Sequence, residues 1–255
     1  MRLITYLPVS RLGDLTEYFE TNIELLKPRK VLVYVDNVFD CDDLNLPLRY
    51  MDEDEVEFEC VDYGNRGETV LRILEDVLPG DVIVDSDVVL DKRFTEVYEK
   101  ATNIDAKLIG IADVREKPGK RDVVINGIPR TKILMQRLGH SPVFFGPKQA
   151  IIINHKPIID YVADLHNVLI DVPKTVRNCI ADETILGLYA LLIGQLETPW
   201  FPAAHNAGSS GDACGKKLRA YTHYVLFKSL IRHGIHITGL NNYLQLIRYY
   251  ISWML

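Results

Sequence analysis

A chain of 255 residues, 47% hydrophobic and 25% charged, is long enough to enclose a full core and has the composition of a globular enzyme. Its net charge of -6 and the dispersal of its lysines and arginines exclude general nucleic-acid binding, which needs a basic face to neutralise phosphates. No apolar stretch approaches the ~20 residues of a membrane-spanning helix, since the best candidate, 185–196, is short and contains Gly187 and Gly194.

Residues 2–7 enter a strand-like run with no charged leader before it, so no secretory signal is expected. Cys41, Cys60, Cys179 and Cys214 form no Cys-x-x-Cys pair, and their spacing suggests neither a disulfide framework nor a zinc site. A cytoplasmic protein is the expectation.

The first ninety residues alternate strand and helix. A buried strand at 3–7 is followed by a loop and by a helix over 15–26 that Pro28 closes. A second strand at 31–35 ends in Asp36-Asn37, a third at 56–61 runs to the turn at Gly64, and 67–77 has helical apolar spacing. Pro79-Gly80 breaks that helix before a fourth strand at 81–84, the order that a parallel α/β sheet requires.

A helix near 94–102 and a strand near 107–111 follow. The segment 113–130, with Arg115, Lys117, Lys120 and Arg121 beside Pro118 and Gly119, reads as a mobile loop. Strand candidates at 143–145 and 150–153, a helix from Asp182 to about Leu192, a loop over 199–215 and a helical C-terminal stretch complete the chain. There is no internal repeat. The expected organisation is one catalytic domain over 1–215, with a binding half at 1–112 and an acceptor half at 113–215, and a helical extension at 216–255.

The strongest chemical signal is Asp85-Ser86-Asp87, just beyond the carboxyl end of a buried strand, where open α/β sheets bind ligands. Two carboxylates one residue apart on an extended segment share a side and offer hard oxygens to Mg²⁺ or Mn²⁺. Asp and Ser also end strands for purely structural reasons.

Residues 2–90 resemble the nucleotide-binding half of the GT-A glycosyltransferases, in particular the large inverting family with a DxD motif. The matching pieces are Ile4-Thr5-Tyr6-Leu7-Pro8-Val9-Ser10-Arg11, the strand 31–37 ending in an acid, Asn65-Arg66-Gly67-Glu68 before a helix, and Gly80–Asp87. The resemblance implies a GT-A type α/β fold, a Rossmann-like mixed central sheet flanked by helices. It implies a metal-dependent glycosyltransferase that moves a hexose from a nucleoside-diphosphate sugar, UDP-sugar by default, to an acceptor hydroxyl.

By the same resemblance Pro8 and Val9 line the nucleoside pocket, Asp36 meets the base, Arg66 approaches base or phosphates, Asp85 sits near the ribose and the metal, and Asp87 ligates Mn²⁺ or Mg²⁺. Asp182 and Glu183 open a downstream helix where inverting members carry the catalytic base; an acid at a helix N-terminus is equally a capping device. His205, in the Gly- and Ser-rich segment that follows, matches by position a third metal ligand found in some GT-A families.

Other motifs carry less. Ser210–Lys217 lacks the first glycine and the terminal Ser or Thr of a P-loop, and His233-Gly234-Ile235-His236 lacks a carboxylate partner. The apolar tail 243–255 calls for a cover, by packing, by a homodimer, or by peripheral membrane contact near a lipid-linked acceptor. The acceptor itself is a carbohydrate, a lipid-linked sugar or a protein. Alternative functions are a haloacid-dehalogenase-like phosphatase using Asp85 and Asp87, and a non-catalytic sugar- or nucleotide-binding protein.

Overall fold

The computed structural model describes residues 1–42, 44, 55–113, 119–135, 150–194, 196–206, 214–238, 251 and 254. Among them, eight strands form one sheet in the order β3-β2-β1-β4-β9-β6-β10-β5. They are β1 (Arg2–Pro8), β2 (Lys30–Asp36), β3 (Val56–Val61), β4 (Val82–Val84), β5 (Val88–Leu90), β6 (Leu108–Asp113), β9 (Ala150–Ile153) and β10 (Leu196–Asn206). β1 to β4 are mutually parallel, β9 runs antiparallel between β4 and β6, and β5 runs antiparallel to β10.

Both faces of this sheet are covered, which is why β1, β2 and β4 read as unbroken apolar runs rather than as an alternation. On one face Leu3, Val33, Val84 and Ile109 pack against Leu15, Phe19, Ile23 and Phe94. These belong to the helical stretch formed by a π-turn (Leu15–Phe19) and α1 (Glu20–Leu26), and to α3 (Phe94–Ala101). On the other face Ile4, Tyr6, Leu32, Ile83 and Ile151 pack against α2 (Arg66–Asp76), α4 (Ile159–Ile170), α5 (Lys174–Arg177), α6 (Asp182–Ile193) and α7 (Lys216–Arg232). α6 is buried along nearly its whole length, so it is apolar all round and shows little amphipathic periodicity. α7 contributes Ala220, Leu226, Phe227 and Leu230 to this core.

Three expectations are corrected. The segment 113–130 is no mobile loop where it is described: β7 (Gly119–Ile125) and β8 (Ile128–Met135) form a hairpin around Asn126-Gly127, both at positive φ, as a two-residue hairpin turn requires. β11 (Ile237–Thr238) adds to its edge. The loop expected over 199–215 is strand as far as Asn206, because β10 pairs with β6 on one side and β5 on the other. Residues 207–213, the strand candidate at 143–145 and all of the tail 243–255 except 251 and 254 lie outside the described residues.

The third correction concerns the cysteines. Cys41 is bonded to Cys60 and Cys179 to Cys214, with Cα atoms 5.5 and 5.7 Å apart, so none is free. Spacing along the chain missed both pairs because each joins segments that only the fold brings together. Alkylation of denatured, unreduced protein is expected to label none of the four cysteines, and mass spectrometry after reduction should then show four. No helix among the described residues is long and apolar enough to cross a membrane.

Candidate active site

The carboxyl ends of β1 and β4 meet in one register. Leu3 lies beside Val82 and Ile4 beside Ile83, and continuing the ladder sets Arg2 beside Asp81 and Tyr6 beside Asp85. Each extra pair is a side-chain bond: Arg2 Nε donates to Asp81 Oδ1 at 2.9 Å, and the Tyr6 hydroxyl lies 2.7 Å from Asp85 Oδ1. The strand pair is thus fastened at both ends, and the second fastening holds the first aspartate of the motif.

α6 delivers the other acids. Gly67, in the first turn of α2, has Ile185 Cγ1 so close that a Cβ there would sit 3.1 Å from it. The missing side chain lets α2 and α6 approach, which brings Arg66 towards Asp182. Asn65 caps α2 by accepting from the Glu68 N–H at 2.9 Å, and Glu68 holds Arg177 at 2.5 Å, fixing the chain that leads into α6. Asp182 lies in the first turn of α6, with Ala181 as the N-cap, so it does not serve the capping role.

Tyr6 joins the two acids, since its hydroxyl also makes a short hydrogen bond with Asp182 Oδ2. A phenol carries one proton. That proton can be donated to either carboxylate, and the hydroxyl stands within hydrogen-bond reach of both. Burial, then the charge of Asp182, push Asp85 well above the usual carboxylate range, against the pull of Tyr6 and Arg66. Burial alone would raise Asp182 too, but hydrogen bonds from Glu183 and Tyr6 and the charge of Arg66 outweigh it and hold Asp182 below its ordinary value. Glu183 is raised well above its own, by burial and by the neighbouring Asp182. Arg66 is itself disfavoured by burial and kept charged by Asp182, Tyr6, Asp85 and Glu183. The three carboxyls are thus pushed apart, Asp182 downwards and Asp85 and Glu183 upwards.

Asp87 faces elsewhere. Asp85-Ser86-Asp87 is a turn rather than an extended segment, closed by the Val88 N–H donating to the Asp85 carbonyl at 3.1 Å, so the alternation expected to align the two carboxylates does not apply. Asp87 is 6% exposed and accepts from Arg11 Nη2 at 3.0 Å. Pro8 ends β1 in register with Asp36 at the end of β2, and Val9 begins the 3-10 turn Val9–Arg11. Asp36 uses Oδ1 to accept three backbone N–H groups, of Asn37, Tyr63 and Gly64, at 2.8 to 2.9 Å, which ties β2 to the turn before α2. The backbone of His205 pairs with Val89, two residues after Asp87, and its side chain lies outside the described residues.

Sequence reasoning missed Tyr6. The signal was present, since a phenol inside the aliphatic run Leu3–Leu7 needs a buried partner for its hydroxyl. It also gave Arg11 no role.

Among the described residues no three His, Cys, Asp or Glu side chains converge as a metal cage. An ion held by one or two carboxylates, taking its other ligands from phosphate and water, is the ordinary habit of Mg²⁺. Asp85 and Asp87, on the turn after β4, are carboxylates of the kind that such an ion takes.

No family model and no curated protein matches the chain. Solved structures do. The chain is similar to TarS 1-349 of S. aureus, with a TM-score of 0.56 at 12% identity over 99% of this chain and 71% of that one. It is also similar to the mannosyltransferase PcManGT of Pyrobaculum calidifontis, solved with GDP-Man and Mn²⁺, with a TM-score of 0.51 at 13% identity over 91% of this chain. Only 64% of that chain is covered, so this protein spans less than two thirds of its length. The mixed central sheet, its helices on both faces and these likenesses give the chain the GT-A type fold of glycosyltransferases.

Proposed function

We propose that this protein is a metal-dependent, inverting glycosyltransferase that moves a hexose from a nucleoside-diphosphate sugar to an acceptor hydroxyl of a carbohydrate, a lipid-linked sugar or a protein. The observation that carries the reading is the Tyr6 hydroxyl, which joins Asp85 at the end of β4 to Asp182 at the start of α6. Two acids 97 residues apart in sequence, 182 less 85, meet at the sheet's carboxyl edge, where α/β folds bind nucleotides.

In this reading Pro8, Val9 and Asp36 border the nucleoside, and Arg66 offsets negative charge at the centre. Asp85 and Asp87 are the residues that would hold a divalent cation, with His205 as the third candidate. A cation held there would neutralise charge on the departing diphosphate. Asp182, ionised at neutral pH, accepts the proton of the acceptor hydroxyl as its oxygen bonds to the anomeric carbon and the bond from that carbon to the diphosphate oxygen breaks. Glu183 lies beside Asp182 in the first turn of α6 and helps to hold its carboxylate.

Thermal unfolding with UDP, GDP, CDP and dTDP, each with and without Mn²⁺, tests the donor site. The matching nucleotide at a hundred times its Kd should stabilise by about 2.7 kcal/mol, roughly 5–10 °C for a chain of this size. The rise should need Mn²⁺ and vanish in Asp87→Ala. If no nucleotide shifts the transition in either condition, the donor site is not where this reading puts it.

A further inference from the structure

Arg11 sits at the end of the short turn that follows β1 and faces two acids. Its Nη2 lies 3.0 Å from Asp87 Oδ2, and the same nitrogen makes a close ion pair with Asp14. The Ser86 hydroxyl donates to Asp14 Oδ2 at 3.3 Å, which links the turn of the aspartate motif to the same cluster. The three side chains are 24%, 9% and 16% exposed for Arg11, Asp87 and Asp14, so the pairs are partly shielded from water and matter more than pairs on an open surface.

This arrangement means that Asp87 is not an open ligand. Its charge is already offset by a guanidinium, and a divalent cation and Arg11 cannot both crowd the same carboxylate without repelling each other at close range. Arg11 has somewhere to go. Asp14 keeps it anchored, and the turn that carries it follows the carboxyl end of β1, the strand that carries Tyr6. A guanidinium fork is well matched to phosphate oxygens.

We propose that Arg11 is a displaceable counter-ion: it occupies Asp87 in the free protein, yields it to the divalent cation, and then contacts the diphosphate of the donor. The proposal rests on the reading of Asp87 as a metal-binding residue. Its consequence is that metal and diphosphate favour each other's binding, while metal alone is opposed. Arg11 is thus a positioning and specificity residue that selects the metal-diphosphate pair over either component.

The test is Mn²⁺ binding by electron paramagnetic resonance to wild type, Arg11→Gln, Arg11→Lys and Asp87→Asn, with Mn²⁺ alone and with pyrophosphate as the diphosphate probe. Arg11→Gln should bind Mn²⁺ alone about three- to tenfold tighter, the size of a partly shielded ion pair removed, and should bind pyrophosphate in the presence of Mn²⁺ about tenfold weaker. The opposite signs in one variant distinguish an exchanging counter-ion from a merely structural ion pair, whose loss would weaken both. Arg11→Lys keeps the charge without the fork and should bind Mn²⁺ alone like wild type but pyrophosphate more weakly; it also serves if Arg11→Gln folds poorly. Unchanged or weaker Mn²⁺ binding by Arg11→Gln, with normal folding and with Asp87→Asn impaired, overturns the exchange alone. Unchanged Mn²⁺ binding by Asp87→Asn instead overturns the assignment of Asp87 as a metal-binding residue, on which the exchange rests.

Discussion

Asp182→Asn is expected to lower kcat for sugar transfer by roughly 10²–10⁴-fold, the range for losing a general base, while the nucleotide-induced thermal shift persists. The substitution keeps shape and a hydrogen-bond acceptor for Tyr6, so what it removes is the proton-accepting charge. Glu183→Gln should be far milder, because burial and Asp182 push Glu183 above the usual carboxylate range and glutamine keeps a hydrogen-bond donor toward Asp182. Steady-state kinetics on the two variants decide the assignment. If Glu183→Gln carries the large loss and Asp182→Asn the small one, the base is Glu183.

Arg66→Met should cost about 3–5 kcal/mol of stability near pH 8, the usual penalty for removing one partner of a buried charge network. Arg66 is the cation shared by Asp182, Asp85 and Glu183. The sign with pH follows from linkage. Asp85 and Glu183 have raised values in the folded state, so the folded protein binds more protons than the unfolded chain; that stability is complete below the ordinary carboxylate range and is lost as pH rises through the folded values. Asp182, held low, works in the opposite sense, and only at pH values below that range. Without Arg66 the acids rise further, so the deficit of Arg66→Met should shrink markedly near pH 5, where the acids accept protons. Denaturant unfolding at the two pH values measures this. A loss independent of pH would mean that Arg66 acts by packing rather than by charge.

Much of the first half of the fold was legible because its strands are short, buried on both faces in β1, β2 and β4, and separated by plain breakers. The strand at 56–61 and the helix before Pro79-Gly80 match β3 and α2 almost residue for residue, and Asp182 does begin α6. The second half was harder. β10 contains Pro199 and Pro202 and bends where its pairing with β6 shifts register, so local sequence reads as loop while pairing on both sides makes it strand. The hairpin β7–β8 was hidden by its charges, since Lys120 and Arg121 look like loop residues until the ladder is seen.

The site was legible as a set of acids but not as an arrangement. Sequence placed Asp85 and Asp87 together as one metal clamp, whereas the turn at 85–88 sends Asp85 to Tyr6 and Asp87 to Arg11. Both partners come from the segment around β1, some 75 residues earlier (79 for Tyr6, 76 for Arg11), and spacing within a motif carries no trace of them. The same holds for Gly67, whose importance lies in the approach of Ile185 from another helix. What long-range packing decides, local pattern cannot announce.

The most direct measurement is the release of nucleoside diphosphate from a panel of UDP-, GDP-, CDP- and dTDP-sugars with Mn²⁺, comparing wild type with Asp87→Asn and Asp182→Asn. Glycosyl transfer from this site predicts release from one donor class, stimulated by a hydroxyl acceptor and lost in both variants. Release that survives in both variants, or a wild-type protein that binds a nucleotide tightly and turns over none of its sugars, would contradict it.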